Sequence, residues 1–242
     1  MIIGINGYAG SGKDTVGKLI QLAACTNIPE GYRIEDILDN YKQHEWWLEE
    51  QSTWEIKKWA GKLKEIASLL TGIPVEKFED QEFKKTYLRP EWSVLKRKPG
   101  LRQEGIFPKR QDMELVPMSV RDFLQKLGTD GLRDGLHENT WVNALMADYK
   151  PQTLGLSSLG EDIQEEPNWI ITDTRFPNEA KAIKEAGGIV IRVDRPGYTP
   201  VNAHPSEIGL DRWNFDHKIM NGSDLTALLF TVGSILRKEK LV

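Results

Sequence analysis

Apolar positions fall into two alternating rhythms along the chain. Short runs with nearly every residue apolar mark buried strands, and runs spaced three and four apart mark helices. "IIGIN" (2–6) is a buried strand, and "KDTVGKLIQLAAC" (13–25) follows as a helix with Val16, Leu19, Ile20 and Ala23 on one face. "WEIKKWA" (54–60) reads as a second strand, and 62–73 as a helix with Leu63, Ile66, Ala67 and Leu70 at helical spacing. Two helical segments, "SVRDFLQKLGTDGLRDGL" and "NTWVNALMADY", each open on a Ser or Asn suited to cap the free N–H groups of a first turn. "NWIITD" (168–173) is a strand, "PNEAKAIKEAG" (177–187) a helix stopping at Gly187, and "GIVIRVD" (188–194) another strand. "KIM" (218–220) and the helix "SDLTALLFTVGSIL" close the pattern.

Between these elements the periodicity lapses. Residues 26–53 are polar and acidic, 74–117 break into proline, glycine and basic residues, 151–167 read as a surface loop, and 195–215 form a loop of about twenty residues. No internal repeat or low-complexity tract is present. Strands alternating with helices imply a three-layer α/β fold, a parallel sheet of about five strands with helices on both faces.

Composition narrows the possibilities. The 242 residues, 39% hydrophobic and 28% charged, suit one α/β domain over 1–242 with insertions. The net charge of −4 gives no global basic field for a long nucleic acid, although a local basic pocket can still hold a small anion. Cys25 is the sole cysteine, a filler on the first helix, so an internal disulfide and a cysteine-based zinc cluster are excluded. His44, His137, His204 and His217 lack metal-ligand spacing. No apolar run approaches the roughly 18 residues that span a bilayer. Met1-Ile2-Ile3 is too short for a signal peptide, so the expected compartment is the cytoplasm of a bacterium or a phage-infected host. Trp46, Trp47, Trp54 and Trp59 are either core or an oligomer surface, which leaves a homodimer open.

The first strand runs straight into "GYAGSGKDT". Gly7 to Lys13 fit G-x-x-x-x-G-K between a strand and a helix, the setting in which that motif cradles phosphates. Glycines let successive N–H groups turn inward, the helix N-terminus favours an anion, and Lys13 adds a point charge. Asp14 stands where Ser or Thr is expected, and Thr15 supplies the displaced hydroxyl for Mg²⁺. The phosphate-binding set is Gly7, Ala9, Gly10, Ser11, Gly12, Lys13, Asp14 and Thr15. In "WIITDTRFPNEA", Asp173 ends an apolar strand at the sheet edge where ligands bind, suited to orient Mg²⁺ or its waters, and Arg175 is placed to neutralise a transferring phosphoryl group. Structurally, the pair reads instead as a capping Asp and a surface Arg.

Together "GSGKDT" (10–15), "VRDFLQKLGTD" (120–130), "TWVNALMADY" (140–149), "TDTRFPNEAKAIKEAGGIVIRVDRPG" (172–197) and "DHKIMNGSDLTALL" (216–229) resemble the deoxynucleoside monophosphate kinases of phages and bacteria, within the P-loop nucleoside monophosphate kinase superfamily. Asp14 is the loop form that family uses. The resemblance implies transfer of the γ-phosphate of Mg-ATP to a deoxynucleoside monophosphate. Lys13, Asp173, Arg175 and Arg195 would be catalytic, Thr15 and Asp173 would manage Mg²⁺, and Arg195 would open a lid over 195–215. Arg192 and Arg212 are weaker lid candidates. His204 and Glu207 would only shape that lid. Acceptor contacts would come from Arg121 and Gln125 on one helical face, from Trp141 as a stacking ring or a core residue, and from Lys62, with Lys64 beside it, and Arg175 at the phosphate. The insertion at 74–117, with its basic run "LKRKPGLR", would serve the acceptor. Asn221-Gly222 would either approach the ATP base or cap a helix. Two rivals share the loop: a kinase acting on another small acceptor or a nucleic-acid 5′ end, and a non-catalytic nucleotide switch.

Overall fold

The computed structural model describes residues 1–25, 36–37, 46–48, 50–100, 110–156, 162–197 and 208–242. The elements used below are β1 (Ile2–Asn6), α1 (Lys13–Ala23), β2 (Trp54–Lys57), α2 (Gly61–Thr71), β3 (Val94–Arg97), β4 (Met113–Val116), α3 (Val120–Gln125), a π-helix (Lys126–Asp134), α4 (Thr140–Met146), β5 (Gln152–Leu156), β6 (Asp162–Glu165), β7 (Asn168–Ile171), α5 (Pro177–Glu185), β8 (Ile189–Asp194), β9 (His217–Met220) and α6 (Leu225–Lys238). They divide into two compact units, Met1–Ala60 with Val142–Val242, and Gly61–Trp141.

The first unit is built on a five-stranded sheet of order β2-β7-β1-β8-β9. Every neighbouring pair is parallel, with Ile3 of β1 opposite Ile170 on one side and Ile189 on the other. Both faces are apolar because successive side chains point to opposite sides. Ile3, Ile5, Ile170, Ile191 and Val193 join Val16, Leu19 and Ile20 of α1 and Leu228, Val232 and Leu236 of α6 in one cluster. Ile2, Trp169, Ile171 and Val190 meet Ala180 and Ile183 of α5 and Val142 and Leu145 of α4 in the other. Each such side chain contributes about 1.5–3 kcal/mol on leaving water, so the two clusters are the main force setting the sheet between its helices. Trp54 and Trp59 belong to these cores, Trp47 packs at the edge of a small cluster with Leu22, Ile37 and Leu48, and Trp46 is 66% exposed.

The second unit centres on Ala67, Phe78, Leu88, Met118, Val120 and Phe123. As the broken periodicity of 74–117 predicts, this stretch makes short 3₁₀ turns and the antiparallel hairpin β3–β4. Ser119 caps α3 by accepting from the Asp122 amide at 3.1 Å.

Three expectations need correction. The buried face of α2 runs through Lys64, Ala67 and Thr71, while Leu70 is 51% exposed. Lys64 is held inside by an ion pair with Glu79, so a charged residue occupies a position that apolar spacing assigns to the surface. Within 151–167, β5 and β6 form an antiparallel hairpin rather than a plain loop. Its register breaks between Thr153 and Gly155, which erases the two-residue alternation by which a strand is recognised. Finally, Cys25 lies just past α1, where its Sγ donates to the Gln21 carbonyl at 3.3 Å. His44, His204 and Glu207, most of 26–53, and 198–207 of the expected lid lie outside the described residues.

Candidate functional site

In a parallel sheet all strands end on one edge, and ligands bind there. Five chain segments leave this edge of the first unit: the glycine loop after β1, Lys58 to Ala60 after β2, Thr172 to Arg175 after β7, Arg195 after β8 and Asn221 after β9.

The loop has the conformation its glycines allow. Gly10 and Gly12 take φ of 77° and 95°, the left-handed region that penalises a side chain. A Cβ on Gly12 would lie 2.3 Å from Asn221 Nδ2, and one on Gly7 would lie 2.4 Å from the Val193 carbonyl. Gly7 therefore excludes a side chain on space alone, and Gly12 does so through its left-handed backbone together with the Asn221 amide that a Cβ would displace. The Asn221 amide donates to the Ser11 carbonyl at 2.8 Å, which supports the loop from β9. Asn221 thus neither caps α6, a role filled by Asp224, nor stands apart from the loop. Lys13 opens α1 and its Nζ donates to the Tyr8 carbonyl at 2.8 Å. Ser11 Oγ is buried without a hydrogen-bond partner. An orphaned hydroxyl is costly in a dry site, and this one, in a glycine loop that leads into a helix N-terminus, fits a phosphate oxygen. Ala9 and Thr15 complete the loop, Thr15 half-buried on the first turn of α1.

Asp14 is exposed yet bonded: its Oδ1 accepts from the Thr172 hydroxyl at 2.9 Å, with Lys58 Nζ at 3.7 Å. This ties the start of α1 to the end of β7. Asp173 comes two residues after β7 and accepts from the Trp59 amide at 2.8 Å and the Ala60 amide at 3.1 Å, one on each oxygen. Burial pushes its carboxyl above the usual carboxylate range, and the two amides, Arg175 and Lys58 offset part of that shift. No cluster of three His, Cys, Asp or Glu side chains suited to a metal occurs among the described residues. A cation here would therefore meet at most two such side chains among the described residues and would take its other ligands from hydroxyls, water or oxygens brought by a ligand.

Arg175 has an exposed side chain and a fixed main chain: Glu179, buried in the first turn of α5, accepts from the Arg175 amide at 2.7 Å and the Phe176 amide at 3.0 Å. Arg195 extends from the end of β8 and donates from Nη1 to the Gly10 carbonyl at 3.3 Å, so the expected lid arginine touches the phosphate loop. Lys13, Asp173, Arg175 and Arg195 thus all belong to one sheet edge. Residues with little or no sequence signal join them. Asn6 donates to the Thr174 carbonyl at 2.8 Å, and Arg192 is buried beside it. A polar residue at the end of an apolar strand was the one available signal for Asn6. Arg212 is exposed on the segment that follows the undescribed part of the expected lid.

On the second unit, Arg121 and Gln125 are exposed on α3, and Gln125 with Lys126, Asp122 and Met118 lines a pocket of about 170 Å³. Trp141 Nε1 donates to the Gly128 carbonyl at 2.9 Å, in the π-helix, so its indole is anchored at one end and half-buried. Thr140 likewise takes the Leu132 carbonyl at 2.8 Å. Both donors come from residues that follow the π-helix, and the Leu132 carbonyl also accepts from the His137 amide at 3.1 Å. Lys62 lies 3.2 Å from Glu65, one turn along α2.

A family model described as deoxynucleotide monophosphate kinase matches residues 102–232, more than half of the chain. A deoxynucleoside-5′-monophosphate kinase of Escherichia phage T5 is 25% identical over 252 aligned positions, covering 93% of this chain and 90% of that protein. A putative deoxynucleotide monophosphate kinase of Acanthamoeba polyphaga mimivirus is 37% identical over 99 residues, 37% of this chain and 46% of the relative. The deoxynucleotide monophosphate kinase of Enterobacteria phage T4 is 32% identical over 119 residues, 49% of this chain and 46% of the relative. The chain thus spans less than half of the mimivirus and T4 relatives and nine-tenths of the T5 one.

Proposed function

The chain belongs to the deoxynucleotide monophosphate kinase family, and on that premise we propose that it transfers the terminal phosphoryl group of ATP to a deoxynucleoside 5′-monophosphate, yielding the diphosphate and ADP. The carrying observation is the loop itself: two left-handed glycines, an orphaned Ser11 hydroxyl, Lys13 at a helix N-terminus, and Arg195 reaching the same turn. Loop amides and Lys13 hold the ATP phosphates, while Arg175 and Arg195 neutralise charge on the group in flight. Phosphoryl transfer asks for positioning and positive charge rather than covalent chemistry, and these residues supply both. Thr15 would hold Mg²⁺ with ATP oxygens, and Asp173 would orient its waters; Mg²⁺ there would offset phosphate charge. A lid over 195–215 would exclude water from the reaction.

For the acceptor, Arg121 and Gln125 meet the base, Trp141 offers a ring face, and Lys62 and Arg175 are each a candidate contact for the phosphate. The 74–117 stretch contributes to that grip. The chain functions as a single kinase domain in a cytoplasm. No helix among the described residues is long and apolar enough to cross a membrane. Trp46 is the tryptophan left open to a homodimer contact, which light scattering measures directly. Purified protein with Mg-ATP releases ADP rapidly only when a particular deoxynucleoside monophosphate is added, as followed by a coupled assay over all common dNMPs and NMPs. Equal slow release with every acceptor would instead describe a nucleotide switch.

A further inference from the structure

Tyr8 fills the first variable position of the phosphate loop, where the motif itself asks for no aromatic ring. Its contacts nonetheless set the loop. The main-chain oxygen accepts from Lys13 Nζ at 2.8 Å and from the Ser11 amide at 3.1 Å. The hydroxyl donates to Asp211 Oδ1 at 2.9 Å, and the ring centroid lies 4.2 Å from the Arg192 guanidinium carbon.

Arg192 is the residue on which these contacts converge. Only 6% exposed, it donates from Nε to Asp194 at 2.8 Å and from Nη1 to Asn6 Oδ1 at 2.7 Å and Asp211 at 3.3 Å, with Phe215 at 5.8 Å from the guanidinium. Asn6 passes the link on, donating to the Thr174 carbonyl. A buried charge is costly, and an apolar side chain would fill this space at less expense. What an arginine adds is a planar fork whose donors and faces fix several partners at once. Here it ties together the ends of β1 and β8, the turn after β7, the first variable residue of the loop and the segment around Asp211.

We infer that Arg192 is a positioning residue for phosphoryl transfer: through the ring of Tyr8 and the amide of Asn6 it holds the first turn of the phosphate loop, and through Asp211 it couples that turn to the segment around Asp211 and Trp213. This rests on the kinase reading above. It makes Asp211 matter for ATP although its contacts are with Tyr8 and Arg192. Because Tyr8 presents its carbonyl to Lys13, a shift of the ring displaces the resting place of the ammonium group.

The test measures ATP affinity by calorimetry, steady-state KM and kcat for both substrates, and melting temperature, in Arg192→Lys, Tyr8→Leu, Tyr8→Phe, Asp211→Asn and the Tyr8→Phe/Asp211→Asn double variant. Arg192→Lys keeps the charge but loses the fork and the stacked face, and with Tyr8→Leu it weakens ATP binding about tenfold. KM for the monophosphate stays within about twofold, the split that separates positioning of the donor site from general damage. Tyr8→Phe removes the donor of the Tyr8–Asp211 hydrogen bond, and Asp211→Asn keeps an acceptor oxygen but loses the charge that both Tyr8 and Arg192 meet, so the two losses overlap and the double variant is weaker than the worse single one by less than the second loss alone. Unchanged ATP affinity in the folded variants, equal losses for both substrates, or additive penalties in the double variant would overturn the inference. A wild-type protein that binds ATP yet phosphorylates no monophosphate sinks the kinase reading and leaves the affinity arm to judge the clamp. A wild-type protein that binds no ATP sinks both.

Discussion

Lys13 is the residue whose loss should be most selective. Its ammonium rests on the Tyr8 carbonyl at the mouth of α1 and takes no part in either apolar cluster of the sheet. Lys13→Ala is expected to lower kcat/KM by about 10²–10³-fold, the scale of one lost charge-stabilising donor, with an unchanged chemical denaturation midpoint. Asp173 makes the opposite prediction, one about stability. Its folded pKa is raised, mainly by burial, so the native state holds a proton that the unfolded chain has already released. Stability contributed by that proton is present below the ordinary carboxylate pKa and is lost as pH rises through the folded value. Urea midpoints measured across that window should fall with rising pH in the wild type, and Asp173→Asn should flatten that part of the curve. Asp173→Asn also turns one acceptor into a donor facing the Trp59 or Ala60 amide, so its midpoint should lie lower throughout the alkaline part of the range.

Helix α1 joins core to site, because its apolar face packs on the sheet and its N-terminus is the loop. The join is tight at Gly17, where a Cβ would lie 2.6 Å from the Thr172 methyl, and Thr172 is itself tethered to Asp14. Gly17→Val gains a few tenths of a kcal/mol to about 1 kcal/mol of helix propensity and meets overpacking of about 1–3 kcal/mol, so destabilisation wins. Calorimetry should show weaker ATP binding as well, since the helix can relieve the clash only by moving its own N-terminus. Elements of this kind were legible before the structure. β1, β7 and β8 are apolar along most of their length because both their faces are covered, and the strand–glycine–helix order locates the loop. Illegible features arise where a tertiary partner overrides a local pattern. Lys64 is buried because Glu79 receives it; β5 and β6 pair across a register break; the π-helix of Lys126–Asp134 takes Trp141 and Thr140 as donors to its carbonyls from beyond its own sequence. The clamp around Arg192 was hidden for the same reason. Asn6, with Tyr8 close by it, lies 186 residues before Arg192 and Asp211 lies 19 residues after it, and no periodic spacing connects them.

At the scale of the whole molecule, the residues proposed for the donor lie in the unit Met1–Ala60 with Val142–Val242, as does Arg175, which is proposed for both substrates, whereas Lys62, Arg121, Gln125 and Trp141 lie in Gly61–Trp141, which has its own apolar core. Substitutions at exposed positions of one unit should leave the core of the other intact, so binding of the two substrates should come apart at every proposed residue except Arg175. Arg121 is exposed at the start of α3, in the turn after the Ser119 cap, and its removal leaves Val120 and Phe123 in place. Arg121→Ala should raise KM for the monophosphate about tenfold or more, the cost of one charge-assisted contact of roughly 1.5–3 kcal/mol, and leave the ATP dissociation constant as it was. Thermal shift makes the same separation without turnover. A ligand present at 100 times its Kd stabilises the folded state by about 2.7 kcal/mol. ATP should therefore raise the melting temperature of Arg121→Ala as it does the wild type, while the monophosphate stabilises the variant far less. Lys13→Ala should show the reverse, responding to the monophosphate and scarcely to ATP. A variant in either set that lost both responses together while keeping its own melting temperature would mean that donor and acceptor share one set of contacts, and the assignment of Arg121 to the acceptor would fall.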